Sequence, residues 1–136
     1  MSDAASLLHE ALLARGETVC SAESLTGGGL ADLLSGTPGA SSTYVGGVVS
    51  YATEIKVRVL GVASEVVERD GVVSAACAEA MATGARTLLR ATWAVATTGV
   101  AGPTEQDGEP VGTVFVAVAG PDGVRATRLA LDGDLA

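Results

Sequence analysis

An α/β domain with a mixed sheet is the fold class this sequence predicts, and three observations predict it. Helical and strand patterns alternate over the first hundred residues. Two Val-rich strands near the C-terminus are joined by Gly120-Pro121-Asp122-Gly123, a strong hairpin signal. The chain has 136 residues, of which 48% are apolar and 18% charged, enough for a core and too apolar for wholesale disorder. Crossover helices make parallel strands, and the hairpin adds an antiparallel pair. Residues 1–136 are expected to form a single layered domain.

Each element has a local reason. Asp3 to Arg15 reads as an amphipathic helix, with Asp3 as N-cap, Leu7, Leu8, Ala11 and Leu12 as its stripe, and Gly16 as its stop. Thr18 to Ala22 is a short strand, and Thr26 to Leu34 a helix that starts inside a glycine cluster. Ser35 to Ser42 is a loop punctuated by Gly36, Pro38 and Gly39. Tyr44 to Ala52 is a second strand, with a Gly46-Gly47 pair where another backbone can come close. Thr53 to Leu60 and Ser64 to Arg69 are short helices, the latter ended by Gly71. Ser74 caps an alanine-rich helix running to about Ala91. Trp93 to Thr97 is a buried strand, Gly99 to Pro110 a polar loop, and Val111 to Ala119 and Val124 to Leu131 the strands of the hairpin.

Charge and composition narrow the function. The net charge of −8 repels phosphate backbones and anionic lipid, so nucleic acid and membrane surfaces are poor partners. Four aromatic residues, Tyr44, Tyr51, Trp93 and Phe115, do not make a base-stacking platform. No apolar run spans a bilayer, and Met1 to Glu10 lacks the basic start of a signal peptide. Cys20 and Cys77 read as small core residues of a reducing, cytoplasmic setting. His9 is the single histidine and reads as a solvated residue on a surface helix, so no metal site is expected. The basic residues are seven arginines and one lysine, Lys56. In an arginine-rich background a lone lysine is either chance or the mark of a position where an amine must lose its proton, which guanidinium does not do.

Ligands of open α/β sheets bind where strands exit into loops, and three such exits carry polar and glycine residues. Glu23, Ser24, Thr26, Gly27 and Gly28 precede a helix, whose unpaired amides suit an anion; such turns are as often structural. Thr98, Gly99, Ala101 and Gly102 follow a strand and offer amides and a hydroxyl; alone they read as a tight loop. Ser41 lies in the glycine-flanked segment Pro38-Gly39-Ala40-Ser41-Ser42, ahead of Tyr51 and Lys56. A serine can act as nucleophile when a base takes its proton, and Lys56, Tyr51 and Glu23 are the candidate bases.

Ala22-Glu23-Ser24-Leu25-Thr26-Gly27-Gly28, Pro38 to Ser42, Ser50 to Lys56, Leu60-Gly61-Val62, Gly71 to Ser74, Thr98 to Pro103 and Pro110 to Val114 stand in an order that resembles the CinA C-terminal domain family, also called PncC. The resemblance covers roughly Thr18 to Gly133. It implies a metal-free and cofactor-free amidohydrolase that converts nicotinamide mononucleotide to nicotinate mononucleotide and ammonia. It implies Ser41 as catalytic serine, Tyr51 and Lys56 as its activators, and Thr98 as a substrate contact beside the Glu23–Gly28 loop. It also implies a homodimer. Leu25 stands where the family usually has cysteine, and Ala40 where it often has serine. Longer members carry a further N-terminal domain. After Gly133-Asp134 members continue with an arginine and a helix, where this chain has Leu135 and Ala136, so a truncated form is expected. Two rival readings are a non-catalytic nucleotide-binding or competence-related module, and an amidase of another substrate with Glu23 as base.

Overall fold

The computed structural model describes residues 3–131; Gly133 to Ala136 and Met1 lie outside them. Helix α1 (Ala4–Arg15) leads into strand β1 (Val19–Glu23), helix α2 (Gly29–Ser35) and strand β2 (Tyr44–Val49). Helices α3 (Thr53–Arg58), α4 (Ser64–Asp70) and α5 (Ala75–Leu89) follow, then strands β3 (Trp93–Gly99), β4 (Thr113–Gly120) and β5 (Gly123–Ala130).

The caps explain the helix limits. Asp3 accepts from the Ser6 amide, and Gly16 closes α1 in the left-handed region. Ser74 accepts from the Cys77 amide at the start of α5. The hairpin turns on Pro121-Asp122, with Gly120 opposite Gly123. Most boundaries shift by one or two residues from expectation, and three differences have a clear local cause. The second helix starts at Gly29 instead of Thr26, because Gly27 and Gly28 have φ of 56° and 107°, which no right-handed helix contains. Strand β2 stops at Val49, because the Ser50 and Tyr51 carbonyls turn to the Lys56 amine. The expected Ser35–Ser42 loop holds a 3-10 turn at Ala40–Ser42.

One sheet carries the strands in the order β2-β1-β3-β4-β5. β1 is parallel to both β2 and β3, while β3–β4 and β4–β5 are antiparallel. The chain leaves β1 toward β2 and returns through α3, α4 and α5 to β3 on the other side. The direction of winding therefore reverses between β1 and β3, and a crevice opens at their carboxyl ends. No helix among the described residues is long and apolar enough to cross a membrane.

The core is a seam between α5 and the sheet. Cys77, Ala78, Met81, Ala82 and Ala85 of the helix meet Cys20, Ala22, Ala94, Ala96, Ala117 and Ala119 of the strands, all buried. Both cysteines are buried free thiols, and burial pushes each up to about 11. Small side chains let the helix lie close to its neighbours. At Gly84 a methyl would overlap the Leu60 carbonyl at the end of α3. Gly84→Ala should therefore destabilise the fold by about 2–3 kcal/mol, read as a lower denaturation midpoint. An unchanged midpoint would show that the α3–α5 contact is loose.

His9 is half-buried, not solvated. Its Nδ1 lies 2.7 Å from Thr43 Oγ1 and its ring sits against Gly39, so it packs beneath the Pro38–Ser42 segment.

Candidate active site

The crevice between β1 and β3 is a cavity of about 400 Å³. Its floor is Lys56, delivered by the single turn-and-a-half of α3. The lysine is 1% exposed. Its Nζ lies 2.7 Å from the Ser50 carbonyl, 3.1 Å from the Tyr51 carbonyl and 3.0 Å from Ser24 Oγ. Ser24 is the first residue after β1, and Ser50 the first after β2, so the two parallel strand ends bring these partners to one point.

Burial disfavours the ammonium and pulls the Lys56 pKa below the ordinary lysine value, with Cys77 acting in the opposite sense. Among the described residues no carboxylate pairs with it. A neutral amine has two N–H donors and one lone pair. As an ammonium Lys56 donates to both carbonyls and to Ser24 Oγ; on losing a proton it would keep the two carbonyl bonds and turn its lone pair to the Ser24 hydroxyl, the arrangement of a base beside a nucleophile.

Seven of the expected site residues line this cavity: Ser24, Tyr51, Lys56, Thr98, Gly99, Ala101 and Gly102. Thr98 donates to the Val72 carbonyl and so ties β3 to the loop before α5. The Val100 amide is taken by Thr113, which leaves the Ala101 and Gly102 amides without a partner among the described residues. Tyr51 is 74% exposed and forms the rim.

The other expected residues stand elsewhere. Glu23 is buried and accepts from the Leu30 and Ala31 amides and from the Thr26 hydroxyl. Burial raises its pKa, yet these hydrogen bonds and one from Gly28 outweigh it and hold the carboxyl below the usual range. It is thus spent on starting α2, and Thr26, Gly27 and Gly28 shape the turn behind the cavity without lining it. Ser41 lies in the 3-10 turn before β2, and Lys56 meets the end of that strand. A strand of this length spans roughly 17–20 Å, so within one chain Ser41 is out of reach of Lys56. The serine hydroxyl in contact with Lys56 Nζ in this structure is that of Ser24.

Val72, Val73, Thr104, Glu105 and Gln106 also line the walls, and no motif in the sequence pointed to them. Their presence depends on Asp107, whose carboxylate accepts from the Val72 and Val73 amides and straps one wall loop to the other. Gly71 permits this strap: its φ is 78°, and a Cβ there would come within 2.7 Å of the Asp107 carboxyl carbon. Gly71→Ala should raise the KM for the site's substrate several-fold with a smaller effect on kcat, measured by steady-state kinetics. An unchanged KM would show that the wall does not depend on the strap.

The profile of the CinA C-terminal domain matches residues 1–136. A CinA-like protein of Frankia casuarinae is 50% identical over 123 residues, 90% of this chain and 28% of its own length. One from Anaeromyxobacter (strain Fw109-5) is 52% identical over 124 residues, 90% of this chain and 30% of its own. The chain thus spans about a third or less of these relatives. Among solved structures, the competence damage-inducible protein A of Klebsiella pneumoniae superposes with a TM-score of 0.92 at 36% identity, covering 96% of this chain and 82% of that one. A competence-damaged protein (CinA) superfamily protein of Escherichia coli gives 0.93 at 33% identity, covering 96% and 77%.

Proposed function

As the chain belongs to the CinA C-terminal domain family, we propose that it hydrolyses the carboxamide of nicotinamide mononucleotide to nicotinate mononucleotide and ammonia. The observation that carries this reading is the 3.0 Å contact between a buried amine, Lys56 Nζ, and Ser24 Oγ in the crevice. Ser24 Oγ attacks the carboxamide carbon while Lys56 takes its proton directly. The resulting oxyanion meets the uncommitted Ala101 and Gly102 amides. Lys56 returns the proton to the nitrogen, the C–N bond breaks and ammonia leaves. Water, deprotonated by Lys56, then cleaves the ester on Ser24. No relay through the Tyr51 hydroxyl is needed, since the Tyr51 carbonyl already orients the amine.

The phosphate is held by amides and hydroxyls, because among the described residues Lys56 is the one basic side chain of the cavity lining. The two free buried thiols fit a reducing, cytoplasmic setting, and the homodimer belongs to the same proposal. The test is ammonia release from nicotinamide mononucleotide, NAD, nicotinamide and nicotinamide riboside. Release from the mononucleotide supports the reading. Binding without release from any of them would replace it with a nucleotide-binding module.

A further inference from the structure

Among the described residues two charged side chains line the cavity, Lys56 and Glu105. They differ in availability. Lys56 is buried and engaged with Ser24 and two carbonyls. Glu105 is exposed on the loop after β3, and among the described residues it has no ion-pair partner. At the rim stands the Tyr51 ring, whose face is open.

We propose that Glu105 is a specificity determinant of this site, selecting carboxamides on a positively charged ring over carboxamides on a neutral one. The proposal rests on the amide-hydrolase reading. An unpaired carboxylate on the wall of a half-enclosed cavity attracts a cation and repels an anion. The open face of Tyr51 adds a cation–π surface of the same preference. A substrate with a cationic ring and an anionic tail is then oriented, ring toward the loop after β3 and phosphate away from it. The ring charge also opposes protonation of Lys56, so the feature that Glu105 selects keeps the base in its working form.

The probes are nicotinamide mononucleotide and its reduced dihydro form. Both carry the same ribose, phosphate and carboxamide, but the reduced ring is neutral. Dissociation constants are measured calorimetrically in Ser24→Ala, which removes turnover, with and without Glu105→Gln. The oxidised form should lose about threefold to tenfold in affinity on Glu105→Gln, and the reduced form should stay within about twofold. In the otherwise native chain, Glu105→Gln should raise KM with little change in kcat.

Equal weakening of both forms would overturn the proposal and assign Glu105 to the ribose hydroxyls. No weakening of either would overturn it outright, as would failure of both forms to bind. Preferential loss of the oxidised form supports it even where the native chain releases no ammonia. That last result would remove the hydrolase reading alone.

Discussion

Ser24→Ala should remove nearly all ammonia release from nicotinamide mononucleotide, a loss on the order of 10³-fold or more in kcat. The side chain is half-buried, and its one hydrogen bond among the described residues is with Lys56, so the variant should fold with an unchanged melting temperature and still bind substrate. Ser41→Ala is the matched control. Ser41 is exposed in a turn at the far end of β2, and its loss should leave kcat within about twofold, as for an ordinary surface change. The reverse pattern, with Ser41 essential and Ser24 dispensable, would require a second chain to bring its turn to this crevice, and would overturn the assignment made within one chain.

Lys56→Arg should be nearly as inactive as Lys56→Met, again by about 10³-fold. Arginine keeps the charge and most of the length, but its guanidinium stays protonated at any working pH and has no lone pair to accept the serine proton. The wild-type rate carries a further signature. Burial lowers the Lys56 pKa, the protonated amine cannot act as base, and the rate should therefore rise with pH through that depressed value and then level off. Arginine is larger than lysine in a site that is 1% exposed, so melting temperatures accompany the kinetics, and Lys56→Met, close to lysine in volume, separates loss of the base from loss of packing. A folded Lys56→Arg with near-native turnover would sink the role of base.

The fold was legible because its signals are local. Asp3, Gly16, Ser74 and the Gly120–Gly123 turn each act within a few residues, and each does in the structure what its chemistry predicts. The site was legible in part. Lys56 stood out as the single lysine, and Ser24, Thr98 and Gly99 lie directly at strand exits. Pairing the lysine with its serine was not legible, because it depends on which ends of β1 and β2 lie side by side. Ser41 is nearer to Lys56 in sequence, yet a whole strand separates them in space. The partners of Glu23 were hidden for a related reason: a carboxylate beside a glycine-rich turn looks available, and only the fold reveals that it accepts from two amides of α2. Glu105 and Asp107 gave no signal, since a polar loop becomes a wall only once Val72 and Val73 are opposite it.

The alanine seam beneath α5 gives this protein a lopsided sensitivity to genetic change. Ala22, Ala78, Ala82, Ala85, Ala94, Ala96 and Ala117 are all 0% exposed, and an alanine has almost nothing left to lose. The common injury to a core, a side chain cut short to leave a void, is therefore open at few places along the seam, with Met81 the main one. Nearly every codon change at the alanines instead adds atoms where none fit. Damage should come as lifting of α5 from the sheet, and second-site repair should come from shrinking a neighbour, for which the seam offers Met81 and little else. A survey of tolerated variants should accordingly find the alanine positions almost closed to substitution, while the exposed outer residues of the same helix, such as Thr83 and Thr87, vary freely.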